Sequence, residues 1–420
     1  MLAFILAVPL YQPAFAIADG FTSGPVTRTQ AHGSAAGKSS HCELSPGTAV
    51  YLRLETAVST KTSHLRDAVK ARVVREVEGS RAVVIPLGAH VQGRLEKLIP
   101  SSTPTDRARM VIRFGQLEIP GKPPVALTGH IAEVENARES VLPDGTIQGV
   151  LASELPLSHL ETAIGKLGKE GEDLVKAKEK ALGKSDPSIE FPAGADLVFV
   201  LDKPLALDVD PPSAASRGLP EGVAAAVGRL LQNAPQRASG KNQQPGDPLN
   251  LVFIGNAEEI RLAFREAGWS EAEKINGKSL WETIRAVAAN QGYGAAPVSP
   301  LYLYGCPEDL AFEKMLNTFI KRHHLRLWRS TATTPEGREI WLGAATHDTG
   351  LDIRPGVISH AIDPHLDAER AKVGADLLVT GRVAAQQLVA RPDLLTEGLT
   401  ATGASWRTDG RLLVIALKAP

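Results

Sequence analysis

The chain has 420 residues, of which 43% are hydrophobic and 5% aromatic, and its 46 basic residues nearly balance its 47 acidic ones. A chain of this length buries more than one core, and its balanced charge argues against nucleic acid or another polyanion as a partner. The 38 glycines and 29 prolines favour short strands and turns over a helical bundle.

The N-terminal segment has the features of an export signal. Leu2–Leu10 is an apolar run, and AFA at 14–16 fits an A-x-A cleavage site. A buried strand or a piece of a membrane anchor is the alternative, but the run is shorter than the ~20 residues that span a bilayer. The sequence predicts a signal peptide at 1–16, a flexible tether at 17–42, export to the periplasm or envelope, and no transmembrane helix in the mature chain.

Residues 43–207 have the pattern of a small antiparallel β-barrel. Apolar and polar side chains alternate in TAVYLRLETAV and in MVIRF, and Gly and Pro bound such runs. A helical insertion is predicted at 140–190, where Leu160, Ile164 and Leu167 share one stripe among many charges. Glycines interrupt this stripe, which favours a packed or solvated helical hairpin; peripheral contact with a membrane is the alternative.

The second half of the chain mixes helix and strand patterns. Residues 208–247 are rich in Pro, Gly, Ser and Gln and are predicted to be an interdomain linker, with room for one short helix at Val223–Leu231. Residues 248–420 are predicted to form an α+β domain with a mixed sheet. Asn256 with Glu259 three residues later is a capping box, and Gly268 ends the helix that it opens.

Two stretches resemble known families. The order of a PxG–strand, IPLGAHVQGRL, RMVIRFGQLEIPGKPPVAL and an inserted helical segment resembles the barrel domain of TrbI-type conjugation-channel proteins over about 43–207. In that family the insertion helps to build an outer-membrane ring, but the insertion of this chain is too polar to carry over a pore. From 249 to 417 the motifs LNLVFIGNAEEIRLAFREAGW, SPLYLYG, DLAF, RHHLRLWR, IWLGAATHDTGL and ISHAIDPHLDAER resemble, in order, the LssY C-terminal domain family.

The LssY resemblance implies a bacterial envelope protein and no particular activity. Members of that family often stand beside membrane domains related to DedA proteins and lipid phosphatases. The sequence shows no such membrane domain, so the resemblance does not extend to a lipid-phosphatase role.

A predicted hairpin carries most of the candidate site residues. HHLRLW and EIWLGAATH flank a turn near Thr334–Pro335, so that Trp328 is expected opposite Trp341. Strict alternation then places several polar and aromatic side chains on one face. These are His324, Arg326, Trp328, Trp341 and His347.

Three histidines of this region form a hypothetical metal site. His360 lies one loop away from His324 and His347, and Asp348 follows His347. Three imidazoles with nearby carboxylates suit a divalent metal such as zinc, or a general base. The chain has no HExxH or GxSxG motif to support this, so a polar recognition patch is the alternative. His323 is expected to point the other way, buried and hydrogen-bonded.

The segment ISHAIDPHLDAER is expected to open a helix, with Asp363 as N-cap and Pro364 as the first helical residue. Asp363, Asp367 and Arg370 then share a stripe, and Asp367 pairs with Arg370 at i,i+3. This is ordinary helix chemistry or part of a ligand site. The full set of ligand-binding candidates is His324, Arg326, Trp328, Trp341, His347, Asp348, His360, Asp363, Asp367 and Arg370.

Three functions follow as hypotheses. The first is an exported envelope protein that acts as a non-enzymatic binding or assembly module with envelope proteins or components as partners. The second is a metal-dependent hydrolase of an envelope lipid or phosphate ester, built on His324, His347, His360 and Asp363. The third is a membrane-peripheral scaffold held by the insertion.

Overall fold

The computed structural model describes residues 40–419, with gaps at 80–82, 102, 104, 152–153, 155–186, 210–217, 241–242, 273–299, 319, 355–356, 392 and 401–402. Residues 39–420 form one compact unit. Within the described residues, no helix is long and apolar enough to cross a membrane. The predicted signal peptide and the amphipathic middle of the predicted insertion lie outside the described residues.

The N-terminal part is a nearly closed antiparallel barrel, as predicted. Its main sheet runs in the order β10-β14-β2-β4-β7-β8-β12-β11, with β9 paired to β8. The strands of this part are β1 Ser40–Leu44, β2 Ala49–Leu54, β3 Val58–Ser59, β4 Ala68–Val73, β5 Val77–Glu78, β6 Val83–Ile85, β7 His90–Ile99, β8 Arg109–Glu118, β9 Val125–Ala126, β10 Gly129–Val134, β11 Ser140–Val141, β12 Ile147–Gln148, β13 Glu190–Phe191, β14 Asp196–Leu201 and β15 Leu205–Val209.

Alternation along the strands builds the barrel core. Leu52 and Leu54 on β2 are buried, as are Ile112 and Phe114 on β8. The ring of Phe114 meets that of Phe199 edge to face at 6.0 Å between centroids. The two ends of the sheet approach each other, and Arg113 on β8 donates a hydrogen bond to the Gly129 carbonyl on β10 at 3.0 Å.

Two predicted boundaries in this part are corrected. The tether was expected to reach residue 42, but Ser40–Leu44 forms β1 and pairs with β15. The helical insertion was expected to start at Ser140, but β11 and β12 follow there and pair through β12 with β8. Both segments are strands because neighbouring strands offer hydrogen-bond partners that a local pattern does not reveal.

The C-terminal part is a mixed sheet with helices on both faces. The sheet order is β19-β22-β23-β24-β18-β29-β26, and β18 and β29 are parallel. Its elements are α1 Glu221–Asn233, β16 Arg237–Ser239, β17 Pro245–Pro248, β18 Leu251–Ile254, α2 Ala257–Glu266, β19 Ser270–Glu271, β20 Tyr302–Leu303, β21 Cys306–Pro307, β22 Leu310–Lys314, β23 Arg322–Thr333, β24 Glu339–Arg354, β25 Val357–Ile362, α3 Leu366–Val379, β26 Val383–Ala390, β27 Glu397–Leu399, β28 Ser405–Arg407 and β29 Arg411–Leu417.

Each face of the C-terminal sheet has its own core. Helices α2 and α3 cover one face, where Phe253 and Phe264 pack together with ring centroids 5.7 Å apart. Helix α1 covers the other face, where Val227 packs with Trp328 and Leu342. Adjacent residues on a strand therefore belong to different cores.

The linker predicted at 208–247 is corrected in its second half. Residues 221–248 contain α1, β16 and β17, and Val227, Leu231 and Ala238 are buried against the sheet. The apolar stripe of α1 explains this, because a helix that leaves such a stripe in water forfeits the free energy of burying it.

The capping box of α2 is confirmed. The side chain of Asn256 accepts a hydrogen bond from the Glu259 amide at 2.9 Å, and Glu259 accepts one from the Asn256 amide at 3.0 Å. Ile260 and Phe264 are buried on one face. Gly268 follows the helix with φ +84°, a left-handed conformation that glycine adopts without strain.

Candidate functional site

The β23–β24 hairpin has a register that differs from the predicted one by a residue. Trp328 lies opposite Leu342, and Arg329 lies opposite Trp341. An irregularity between Arg329 and Thr333 shifts the pairing near the turn. The prediction that Trp328 faces Trp341 is therefore wrong, because an extra residue in a bulge reverses the faces of all residues beyond it.

This shift divides the predicted site between the two faces of the sheet. His324, Arg326 and Trp328 lie on the face covered by α1, together with Leu342. Trp341 lies on the opposite face, against α2 and α3. His347 shares that opposite face, where it stands beside His323 and not beside His324. The predicted metal set of His324, His347 and His360 is not assembled.

On the α1 face, Asp348 contacts two of the other predicted residues, His324 and His360. Its carboxylate accepts from His324 Nε2 at 3.1 Å and from Arg322 Nε at 3.1 Å, and it lies 3.5 Å from His360 Nδ1. Burial alone raises the pKa of Asp348, but His324, His360 and Arg322 outweigh it and hold that pKa far below its usual range. Burial also lowers the pKa of His360, against the pull of Asp348.

Arg326 determines which nitrogen of His324 carries the proton. Its guanidinium is 3.1 Å from His324 Nδ1 and 3.3 Å from the Asp247 carboxylate. Because a guanidinium only donates, Nδ1 accepts and Nε2 donates to Asp348. Both ring nitrogens are thus engaged, so His324 is a structural hydrogen-bonding residue in this conformation.

On the α3 face, the rings of His323 and His347 are stacked, with centroids 4.2 Å apart. His323 Nδ1 is 2.6 Å from Glu369, and His347 Nε2 is 2.9 Å from the Asn136 side chain. Burial alone lowers the pKa of His323, but Glu369 and Glu135 outweigh it and raise the pKa to about 9. Burial and the charge of His323 lower the pKa of His347 well below its usual value. A charged imidazole therefore rests on a neutral one.

In the described part of the chain, three residues of this cluster are candidate metal ligands. His323, His347 and Glu369 each offer a donor atom, and these atoms lie within 4.8 Å of one another. Two imidazoles and a carboxylate are a donor set that zinc accepts. A metal here has to displace the proton that Glu369 and Glu135 stabilise on His323.

A larger buried ion network continues from this cluster. Lys372 reaches Asp196 at 2.8 Å and Asp376 at 2.7 Å, and Lys314 contacts both carboxylates at 2.6 and 3.1 Å. Arg53 bonds to Asp196 at 2.6 Å and to Asp376 at 2.9 Å. Burial alone raises the pKa of Asp196, but the three cations hold it well below its usual range, so its carboxylate is charged.

The network connects the barrel to the C-terminal domain. Its barrel members are Arg53 on β2, Asp196 opposite it on β14, and Glu135, which lies 3.4 Å from Lys372 and 3.6 Å from His323. Four cations balance four carboxylates across the junction. They are Arg53, Lys314, His323 and Lys372 against Glu135, Asp196, Glu369 and Asp376.

Sequence reasoning missed this network except for His323, whose buried, hydrogen-bonded state was expected. One signal was available in α3: the helix LDAERAKVGADLLV has no clean polar face, and Glu369, Lys372 and Asp376 are all buried. Arg53 carried no signal, because its place on the polar side of an alternating strand predicts exposure.

The helix that begins near Pro364 is shorter than predicted. It starts at Leu366, and the N-cap is His365 and not Asp363. The Asp363 carboxylate accepts from the His365 amide at 2.8 Å, so it closes a turn before the helix. The pair of Asp367 and Arg370 is confirmed at 2.9 Å.

Arg370 also binds Asp409 with two hydrogen bonds of 2.8 and 2.9 Å. The Asp367 carboxylate accepts from the Asp409 amide at 2.8 Å. These side chains therefore attach α3 to the start of β29, a structural role.

A cleft of about 450 Å³ lies apart from both histidine clusters. Ala57 and Pro192 contribute exposed apolar surface, and Lys61 and Glu190 form an ion pair of 3.0 Å at its rim. Asn317 of the C-terminal domain completes the lining and accepts from the Arg138 amide at 2.9 Å. The barrel and the C-terminal domain thus both contribute to the cleft. Its lining residues are Ala57, Val58, Ser59, Lys61, Thr62, Arg138, Ser188, Glu190, Phe191, Pro192 and Asn317.

The fold and the network define a two-part protein, a small antiparallel barrel attached through buried charges to a mixed-sheet domain. Residues 231–412 match the family model described as LssY C-terminus, which agrees with the resemblance that the motif order indicates. The match begins within α1 and thus includes residues that the sequence pattern assigned to the linker.

Two further comparisons, with solved structures and with curated proteins, gave weak similarity and no match, respectively. ComB10 of the Com type IV secretion system of Helicobacter pylori is 12% identical, with a TM-score of 0.24 over 41% of this chain and 94% of its own. No curated protein matches the chain.

Proposed function

We propose that this protein is a binding or assembly module of the bacterial cell envelope, in which the barrel and the LssY C-terminal domain act as one rigid unit. The observation that carries the proposal is the balanced network of four buried cations and four buried carboxylates across their junction. The export-type N-terminus and the LssY C-terminus match support the envelope location.

The network favours one relative orientation of the two parts. A buried ion pair adds little stability over well-packed apolar groups, but losing one partner leaves an uncompensated charge that costs about 3–5 kcal/mol. Any rotation of the barrel against the C-terminal domain separates Arg53 from Asp376, now at 2.9 Å, and Asp196 from Lys314, now at 2.6 Å. Rigid attachment keeps a surface built from both parts in one geometry.

In this function the cleft is the binding surface, and the rigid junction keeps its shape constant. Its volume of about 450 Å³ falls within the range of small-ligand pockets, which occur often at domain interfaces. Exposed, apolar Ala57 and Pro192 beside the Lys61–Glu190 pair suit an occupant of mixed polarity, such as a peptide segment of an envelope partner.

Capture from a bacterial envelope extract tests the proposal with two matched double variants. In the cleft, Lys61→Ala with Glu190→Ala removes an exposed ion pair; in the control, Arg261→Ala with Glu271→Ala removes an equally exposed pair on the C-terminal domain. Exposed pairs contribute about 0–1 kcal/mol, so both proteins are expected to fold. A discrete partner retained by the wild type and the control but lost by the cleft variant supports the proposal; equal retention by all three contradicts it.

A metal-dependent hydrolase is the second candidate, and the donor set of His323, His347 and Glu369 is the observation that favours it. Elemental analysis of protein purified without chelator tests it. About one zinc per chain, with a melting temperature that EDTA lowers, would favour the hydrolase. Metal-free protein whose melting temperature zinc does not raise would favour the purely ionic network.

A further inference from the structure

In the part of the chain that the structure describes, the last strand of the C-terminal sheet is paired along one edge only. Strand β26 ends the sheet order and pairs with β29 along Val383–Ala390. Among the residues that the structure describes, no other main chain or side chain donates to or accepts from its backbone. Every second residue of such a strand directs an amide and a carbonyl outward, where a further strand is able to pair with them.

Apart from an irregularity between Val383 and Ala385, strand β26 also lacks the usual protection of an edge. Its sequence, VAAQQLVA, contains no charge and no proline over eight residues, and Leu388 is 40% exposed. At the opposite end of the sheet, β19 is only two residues long and carries Glu271, which pairs with Arg261. Sheets in soluble proteins protect their edges with charges, proline, bulges or shortness, so a long neutral edge indicates a site for strand addition.

The sequence of β26 allows the strand to pair with the same strand of a second copy. Antiparallel pairing about a two-fold axis at Gln387 places Gln387 of one copy opposite Gln387 of the other, Gln386 opposite Leu388, and Ala385 opposite Val389. Directly opposed like charges destabilise a sheet, and this register contains none from Ala384 to Ala390. The opposed residues also point to the same side of the extended sheet, as antiparallel pairing requires.

From this edge and its composition, we infer that two copies of the chain associate through β26 and form a continuous sheet across a two-fold axis. The association adds a symmetric pairing surface to the rigid unit and is independent of what the cleft binds. In a two-fold contact the free edge of β26 in each copy is paired with that of the other copy, so the assembly at this strand is limited to two chains.

Sedimentation velocity of the full chain over a wide concentration range tests the inference with charge variants at the axis. Gln387→Lys and Gln387→Glu each place two like charges, one from each copy, opposite one another at the axis. The dissociation constant of the dimer is therefore expected to rise about tenfold or more in each variant alone. An equimolar mixture of the two opposes Lys to Glu and is expected to restore dimers. This rescue separates lost pairing from lost folding.

Two results would overturn the inference. One is a wild-type chain that stays monomeric at every concentration. The other is a dimer that neither Gln387→Lys nor Gln387→Glu weakens, which would place the contact elsewhere. Ala225→Lys, on an exposed side of α1, is the control for an added charge and is expected to leave the dissociation constant unchanged.

Discussion

His323 and His324 are adjacent in the chain and differ completely in their surroundings. His323 is charged between Glu369 and Glu135 at the junction with the barrel, whereas His324 lies between Asp348 and Arg326 inside the C-terminal domain. Alternation along β23 causes the difference, because consecutive side chains point to opposite faces of the sheet. Histidines that are close in sequence are therefore poor evidence for a shared site.

The two clusters also differ in what they connect. The cluster around His323 continues into the network that includes Arg53 and Asp196 of the barrel. The cluster around Asp348 contains only residues of the C-terminal domain. Disrupting the first is expected to affect both parts of the molecule, and disrupting the second only one.

The largest expected effect comes from Lys372→Met. The change leaves Asp196, Asp376 and Glu135 without their shared cation, and we expect a loss of about 3–5 kcal/mol in the free energy of unfolding. Urea denaturation measures it. The double variant with Asp376→Asn is expected to lose less than the sum of the single variants, because removing one carboxylate restores the balance of three cations and three carboxylates. A loss below about 1 kcal/mol would contradict a tightly coupled network.

A smaller and more local effect is expected from Asp348→Asn. The amide no longer balances Arg322 and weakens the bond from His324, at a cost of about 3 kcal/mol. Hydrogen exchange locates the loss. Amides of β23 and β24 are expected to exchange faster while those of β2 and β8 in the barrel keep their protection, in contrast to Lys372→Met. Equal acceleration in both parts would remove the distinction between the clusters.

The pH dependence of stability isolates His323. Its pKa is raised to about 9 in the folded protein, above the unfolded value near 6.5. Its charge therefore stabilises the fold fully below pH ~6.5, and this contribution of roughly 3 kcal/mol is lost as pH rises through 9. Urea denaturation from pH 6 to 10 measures the decline. His323→Gln is expected to flatten the curve over that window, and an unchanged slope would mean that His323 is neutral in the fold.

The smallest expected loss of stability comes from a substitution far from both histidine clusters, and it serves as a reference for the other two. Asn256→Ala removes the capping box of α2 and is expected to cost about 1 kcal/mol. Circular dichroism and urea denaturation are sufficient to measure it. Its pH dependence should parallel that of the wild type, because neither histidine cluster contacts Asn256. A cost as large as that of Asp348→Asn would mean that the exposed cap of α2 stabilises the protein as much as the buried cluster around Asp348 does.

Several elements were predictable because their causes are local. The capping box at Asn256, the pair of Asp367 and Arg370, and the buried alternation of β2 all depend on residues within a few positions of one another. The turn dipeptide Asp409-Gly410 in GASWRTDGRLLVIAL predicts a hairpin, but β28 pairs with β27 and not with β29. There β29 pairs with β18 and β26, because a central strand satisfies its backbone on both sides with partners distant in sequence.

The candidate site depended on a register that local patterns do not contain. A single irregularity after Arg329 exchanged the faces of Trp341 and His347 relative to His324. No spacing in the chain indicated that Arg53 and Lys372 meet at one pair of carboxylates.

The order of residues was sufficient for the barrel pattern, the α+β domain and its LssY motifs, since periodicity and composition express which faces avoid water. Only the folded chain decided which histidine carries a charge, which residues connect the two parts, and which strand is left at the edge. Those properties arise from contacts between residues far apart in sequence, where burial and neighbouring charges determine protonation and pairing.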